Sequence, residues 1–200
     1  MRKYLILLLI LALVCPFSAS ASEAPKFAVL IFSGIPAGAE GRTLLDGLAA
    51  RDARATFFLW AAPWEQGRRI LDGNHEIGLM LPDSLNHLSR RQVAAKLRGA
   101  RALLPPCRVR FLLAEGGCSD GVTQVAGALR FSFPEAPLCP RKEGLIDIAS
   151  LSQIQSGDTL YLPVVSRTDV IQALHLIDLL QNRGFTLITA SEMVRLRRLA

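Results

Sequence analysis

Aromatic residues make up only 6% of this chain, which argues against a sugar-binding surface built on many stacked rings. Cysteine is rarer still, with four residues in 200, too few for a disulfide scaffold. No internal repeat or low-complexity segment is present after the first twenty-odd residues, and no later apolar run is long enough to span a bilayer. Charged residues at 20% against hydrophobic residues at 50% exclude intrinsic disorder, which needs the opposite balance. The length suits one domain, whose core buries about 70% of the unfolded surface without a covalent staple.

Part of that hydrophobicity lies outside the expected domain. Arg2 and Lys3 form a short basic region, and Leu5 to Val14 is wholly apolar. Ala19-Ser20-Ala21 then supplies small residues where a signal peptidase reads. Residues 1–21 are therefore expected to be a signal peptide cleaved before Ser22, residues 22–26 a linker, and 27–196 the domain. The alternative, an uncleaved anchor, needs about twenty apolar residues, and the run falls short. Cys15 invites a lipoprotein reading, but Ala12-Leu13-Val14 lacks the small residue that a lipid-modifying peptidase prefers. The expected location is the periplasm or the exterior, with no membrane span after cleavage.

Removing Arg2 and Lys3 leaves 21 basic against 17 acidic residues, a net charge of +4. Nineteen of the 23 basic residues of the full chain are arginine. They are scattered, with small clusters at Arg90-Arg91 and at Arg195, Arg197 and Arg198. A solvated face is the simpler reading, and export argues against a nucleic acid partner. Three cysteines remain, Cys107, Cys118 and Cys139, and an odd count leaves at least one unpaired.

Short apolar runs alternate with helical patterns, the signature of βα units and a mostly parallel sheet. Strands are predicted at 27–32, 55–60, 76–81, 108–113, 130–133, 159–164 and 185–188. Helices are predicted at 43–51, 63–72, 89–104, 122–129 and 169–183, with Ser191 capping a last one. The stretch 134–144 reads as a loop.

The order and spacing of these segments resemble the polysaccharide deacetylase family, also called the NodB homology domain. Three local matches carry the resemblance: Arg54 to Leu59 (RATFFL), Asn74 to Gly78 (NHEIG), and Asn182 to Met193 (NRGFTLITASEM). It covers roughly residues 27–195. It implies an α/β fold, a single-domain distorted (β/α) barrel with its site at the C-terminal ends of the strands. It also implies hydrolysis of acetyl groups on sugar polymers through a divalent metal, usually zinc, held by one aspartate and two histidines.

The residues that would carry that chemistry are absent. The family's first motif, T-F-D-D-G-P, aligns with Ile31 to Pro36, so Ser33 stands for the base and Gly34 for the metal-binding aspartate. Met80 and Ser84 fall on the two histidine positions. Leu112 stands for the arginine that orients the base, and Pro163 for the acid histidine. A thioether and a neutral hydroxyl are poor zinc ligands, so no metal cofactor is expected.

Three readings stay open. The first is an exported, non-catalytic relative of the deacetylases that binds a glycan or a cell-envelope protein. Its apolar replacements, Met80, Leu112 and Pro163, would turn the mouth into an apolar patch. The second is a divergent hydrolase that removes acetyl groups with a relocated site built from Asp83, His87 and Glu115. The third is a structural domain with no ligand. His75 is expected to make a structural hydrogen bond, and His175 to be an ordinary helix residue. Cys118 and Cys139 both follow strands, which predicts a disulfide between them. Cys107 precedes its strand, about 16 Å away at about 3.3 Å per residue.

Overall fold

The run Lys26–Ser33, strand β1, is apolar at nearly every position because both of its faces are covered. Ala28, Leu30 and Phe32 pack outward under helices, while Val29 and Ile31 belong to a second, inner cluster. This is the two-residue period of a strand buried on both sides. The computed structural model describes residues 24–60, 64–114, 116–135, 138–142 and 145–199. The expected signal peptide and Glu115 lie outside the described residues, and Cys15 with them.

Five strands form a parallel path, β4-β3-β2-β1-β7. Here β2 is Thr56–Leu59, β3 Glu76–Leu81, β4 Leu112–Ala114 and β7 Thr159–Pro163. A further strand, β8 (Phe185–Ile188), also pairs with β1 in parallel. Val29 is paired with both Thr159 of β7 and Ile188 of β8, so those two strands lie on opposite edges of β1. The edge that holds β8 from Lys26 to Val29 is taken over by β2 from Ile31 to Ser33. The sheet curls into a half-barrel with helices outside, the α/β architecture expected.

Helices α1 (Gly38–Ala49), α2 (Trp64–Asp72), α3 (Arg90–Ala102) and α4 (Asp120–Ala128) follow the first four strands. The short α5 (Ile148–Ser152) precedes β7, and α6 (Arg167–Asn182) follows it. Helix α1 begins five residues before the predicted start. Its first buried position is Gly41, where a Cβ would stand 2.1 Å from the carbonyl oxygen of Pro36. A close approach made by glycine leaves no apolar mark for periodicity to read. Ser89 caps α3 as predicted, in a capping box with Gln92. The predicted strand at 130–133 reduces to one bridge, Ser132 to Phe111. The predicted loop 134–144 holds a short strand, β5 (Arg141–Lys142), which pairs antiparallel with β6 (Leu145–Ile146) just beyond it.

The final helix, α7 (Ala190–Arg197), corrects another expectation. Its cap is Thr189, boxed with Glu192, and not Ser191. Ser191 turns inward instead. Its hydroxyl and its backbone N–H both donate to the Glu76 carboxylate, the latter at 3.0 Å. Thr56 donates to the same carboxylate at 3.1 Å and accepts the Ala190 N–H at 3.0 Å. A carboxylate thus sits on the first turn of α7, where the helix dipole favours it. Met193 and Ala190 complete the inner cluster above it.

His75 is buried at 6% exposure, edge-on to Phe57 with ring centroids 5.5 Å apart. The expected hydrogen bond is not made at Nδ1, which is buried with no partner. Burial, aided by the nearby Arg54 charge, lowers its pKa to about 4.

Two tests follow from these contacts. Glu76→Ala strands the Ser191 and Thr56 donors, so unfolding free energy falls by about 2–3 kcal/mol in urea titration. Unfolded, His75 takes up a proton near pH 6.5, but folded only near 4. Stability therefore rises with pH between those values and levels off above them. Between about pH 4.5 and 7, the wild-type chain gains roughly 2–3 kcal/mol more than His75→Leu, as measured by urea unfolding.

Candidate functional site

The six strands of the main sheet all run the same way, so their C-terminal ends share one mouth. Across it the register aligns Pro163 with Ser33, Ser33 with Phe58, and Phe58 with Gly78. This row is mostly closed. Phe58 is fully buried, and its ring covers Gly78, where a Cβ would meet it at 2.5 Å. Ser33 is 9% exposed between Phe58 and Pro163. Gly34 donates its N–H to the Phe58 carbonyl at 2.8 Å and has φ +82°, with free space where a side chain would project. One step further along, Met80 is half-buried against the inner cluster, opposite Leu113.

The Leu112 assignment needs correction. Leu112 belongs to the outer cluster beneath the helices, and Leu113 to the inner one. A shift of one residue in a strand reverses the face. A side chain at 112 points away from Ser33, so the residue facing the interior on β4 is Leu113. The sequence hides this because both neighbours are leucine.

Ser84 is exposed on the 3-10 turn Asp83–His87 that follows β3. Side chains in such a turn eclipse every three residues. Asp83 therefore stands over Asn86, whose side chain accepts from the Ser119 N–H at 2.8 Å and donates to the Gly117 carbonyl at 3.2 Å. The Asp83 carboxylate lies against Gly116, where a Cβ would stand 2.4 Å from its oxygen. His87 is turned about 120° from Asp83 and is exposed. The structure thus does not bring Asp83 and His87 together, and Glu115 lies outside the described residues.

A divalent metal does not fit the donors that are present. Gly34 has no side chain, Met80 offers a thioether, and Ser84 a neutral hydroxyl on an exposed turn. Among the described residues, no three histidine, cysteine, aspartate or glutamate side chains gather as a metal shell would need. What stands open beside the mouth is an apolar groove of about 630 Å³ that runs along α3, with Gln92, Ala95, Lys96 and Ala100 in its wall. Trp60, Met80, Pro82, Leu85 and Leu88 line it, with Leu103 from beyond α3. Trp60 follows the last residue of β2 and is 45% exposed. Sequence reading passed over Trp60. Its signal was the alternation Thr56, Phe58, Trp60, which puts it on the inner side at the rim.

The thiols do not form the expected bridge. Cys107, Cys118 and Cys139 are all free. Cys118 follows β4 at one end of the strand path, while Cys139 is carried next to Leu138, which is bridged to Leu160 of β7 at the other. Only Cys118 follows a strand: the one predicted before Cys139 is a single bridge, and Leu138 pairs near the start of β7. Among the described residues, no helix is long and apolar enough to cross a membrane.

No family model matches this sequence, and no curated protein does. Solved structures do. A peptidoglycan deacetylase from Bacillus subtilis superposes with a TM-score of 0.74 at 19% identity, over 88% of this chain and 93% of that one. The Xyl-CE4 domain of a multidomain xylanase, from the hindgut metagenome of Trinervitermes trinervoides, gives 0.71 at 16%, over 86% and 91%. A CE4-family pseudoenzyme from Bacillus anthracis gives 0.70 at 20%, over 85% and 66%. At such identities the likeness is one of fold. With its parallel half-barrel and strand-end mouth, this chain has the fold of the CE4 polysaccharide deacetylases.

Proposed function

We propose that this chain is an exported, non-catalytic protein on the deacetylase fold, which binds a cell-envelope glycan or a partner protein at the strand ends. The donor set of the mouth carries this reading. Gly34, Met80 and Ser84 occupy the three positions that the family resemblance assigns to metal ligands. Ser33 and Pro163 occupy those of base and acid. Loss of proton transfer alone costs about 10²–10⁴ in rate, and loss of every ligand removes the electrophile as well. The groove beside Trp60 supports binding in place of hydrolysis, since exposed apolar surface of this kind is where partners dock. The basic, apolar and small-residue pattern of residues 1–21 supports export. A non-catalytic role also has a parallel among the fold neighbours. One is described as a CE4-family pseudoenzyme, and a mutant of it as having restored enzymatic activity. The rival hydrolase reading gains nothing from His87, which turns away from Asp83.

Two measurements test the proposal. Elemental mass spectrometry on the purified protein, with and without added zinc, is expected to find almost no bound metal. No acetate is expected to be released from acetylated xylan or peptidoglycan. A stoichiometric metal or enzymatic turnover would sink the reading, and loss of either on His87→Ala would establish the relocated site. Separately, co-sedimentation with insoluble peptidoglycan and with xylan is expected to retain the protein on at least one. Trp60→Ala is expected to weaken that retention about tenfold, as removal of a central aromatic anchor does. Retention that is indifferent to Trp60 would place any glycan contact elsewhere.

A further inference from the structure

The opposite end of the barrel, where the strands begin, holds a feature that the deacetylase fold does not account for. Two clefts open there, of about 480 and 650 Å³, and Arg108 and Arg110 line both. Around the first stand four more arginines, Arg101, Arg130, Arg197 and Arg198, and no lysine. The six come from four separate stretches of chain: the end of α3, the approach to β4, the turn after α4, and the end of α7. Among the described residues one carboxylate lines this cleft, Glu135, and Arg197 is paired with it. Arg101 lies over the Phe131 ring, 5.6 Å from its centroid. Arg108, Arg110, Arg130 and Arg198 have no carboxylate partner among the described residues. Of the three acids described along the second cleft, Glu192 is engaged by Arg54 and Glu76 by Ser191 and Thr56, which leaves Asp52 against four arginines, Arg54, Arg108, Arg110 and Arg195.

Gathering like charges in one concavity raises the energy of the folded chain, and an anion that enters it relieves the repulsion. The choice of cation narrows the anion. Guanidinium groups present planar, paired donors that match phosphate and carboxylate oxygens. Several unpaired guanidiniums converging on a small volume call for a ligand that concentrates charge, and a phosphate ester carries nearly two charges on three acceptor oxygens. The cleft volume falls in the range of small-molecule sites. Its floor includes Val29, Phe111 and Met193 of the inner cluster, so the ligand has an apolar side to meet as well.

We propose that the arginine-lined cleft at the N-terminal end of the barrel binds a phosphorylated small ligand, whether a soluble phosphate ester or the headgroup of an anionic lipid. The site is separate from the strand-end mouth and does not depend on how the mouth is read.

The test is calorimetric titration of the full chain with inorganic pyrophosphate, in parallel with sedimentation on phosphatidylglycerol and phosphatidylcholine vesicles. Saturable pyrophosphate binding is expected, weakened about tenfold or more in the double variant Arg108→Gln/Arg110→Gln, which removes two of the charge-assisted contacts. The double variant Arg90→Gln/Arg91→Gln lowers net charge equally on α3 and is expected to bind as the parent does. Binding only to phosphatidylglycerol vesicles, with the same pattern among variants, supports the site and assigns the phosphate to a lipid. If Arg108→Gln/Arg110→Gln fails to fold by circular dichroism, Arg198→Gln on the exposed end of α7 takes its place. Three results would overturn the proposal: no saturable binding to either probe, equal loss in the α3 control, or citrate bound as tightly as pyrophosphate.

Discussion

The structure turns on the sharing of one strand edge. Strand β1 offers a single edge to two partners, β8 along its first half and β2 along its second. Where Thr56 of β2 begins, β8 has nowhere to continue. The chain turns at Thr189 and enters the barrel's end as a helix, and its first turn meets Glu76 and Thr56. A half-buried carboxylate there would be costly without donors. It has three, supplied by Thr56 of β2 and by Ser191 in the first turn of α7. The plug, the inner cluster above it and the separation of the barrel's two ends all rest on this arrangement.

The two ends then differ in chemistry. At the strand C-termini the inner row is filled by Pro163, Ser33, Phe58 and Gly78, and the Phe58 ring takes the space above Gly78. Apolar packing has replaced charge there, and what is left open is a groove beside Trp60. At the strand N-termini charge accumulates, and most of it is arginine. The fold neighbours share the scaffold at 16–20% identity, a level at which the frame persists while sites are rewritten.

Much of the fold was legible because β1, β3 and β8 are continuous apolar runs closed by clear stops. Gly184, with φ +83°, and Asn74, with φ +58°, end helices where sequence reading places those ends. The misses have physical causes. The first buried residue of helix α1 is Gly41, packed against backbone, which no hydrophobic period records. Leu112 and Leu113 are alike, so only the sheet reveals which one faces the interior. Ser191 has the chemistry of a cap, but Glu76 claims it. The pairing of Cys118 with Cys139 rested on a strand at 130–133 that forms only one bridge, so Cys139 is carried to the start of β7 instead. The alternating arginines of the β4 approach were visible in the sequence. Their convergence with Arg101, Arg130 and Arg198 was not, because it depends on four connections meeting at one end.

The inner cluster draws Val29 and Ile31 from the first strand and Ile188, Ala190 and Met193 from the last strand and helix. The residues that seal the interior are thus separated by nearly the whole domain. During synthesis β1, β2 and β3 exist long before β8 and α7 do, and until then the lower half of one β1 edge has no partner. Closure must wait for the last residues of the domain, and contacts this distant in sequence form slowly. A half-made chain therefore has an open strand edge and no finished interior, and depends on being shielded or on being left unfolded until its end emerges.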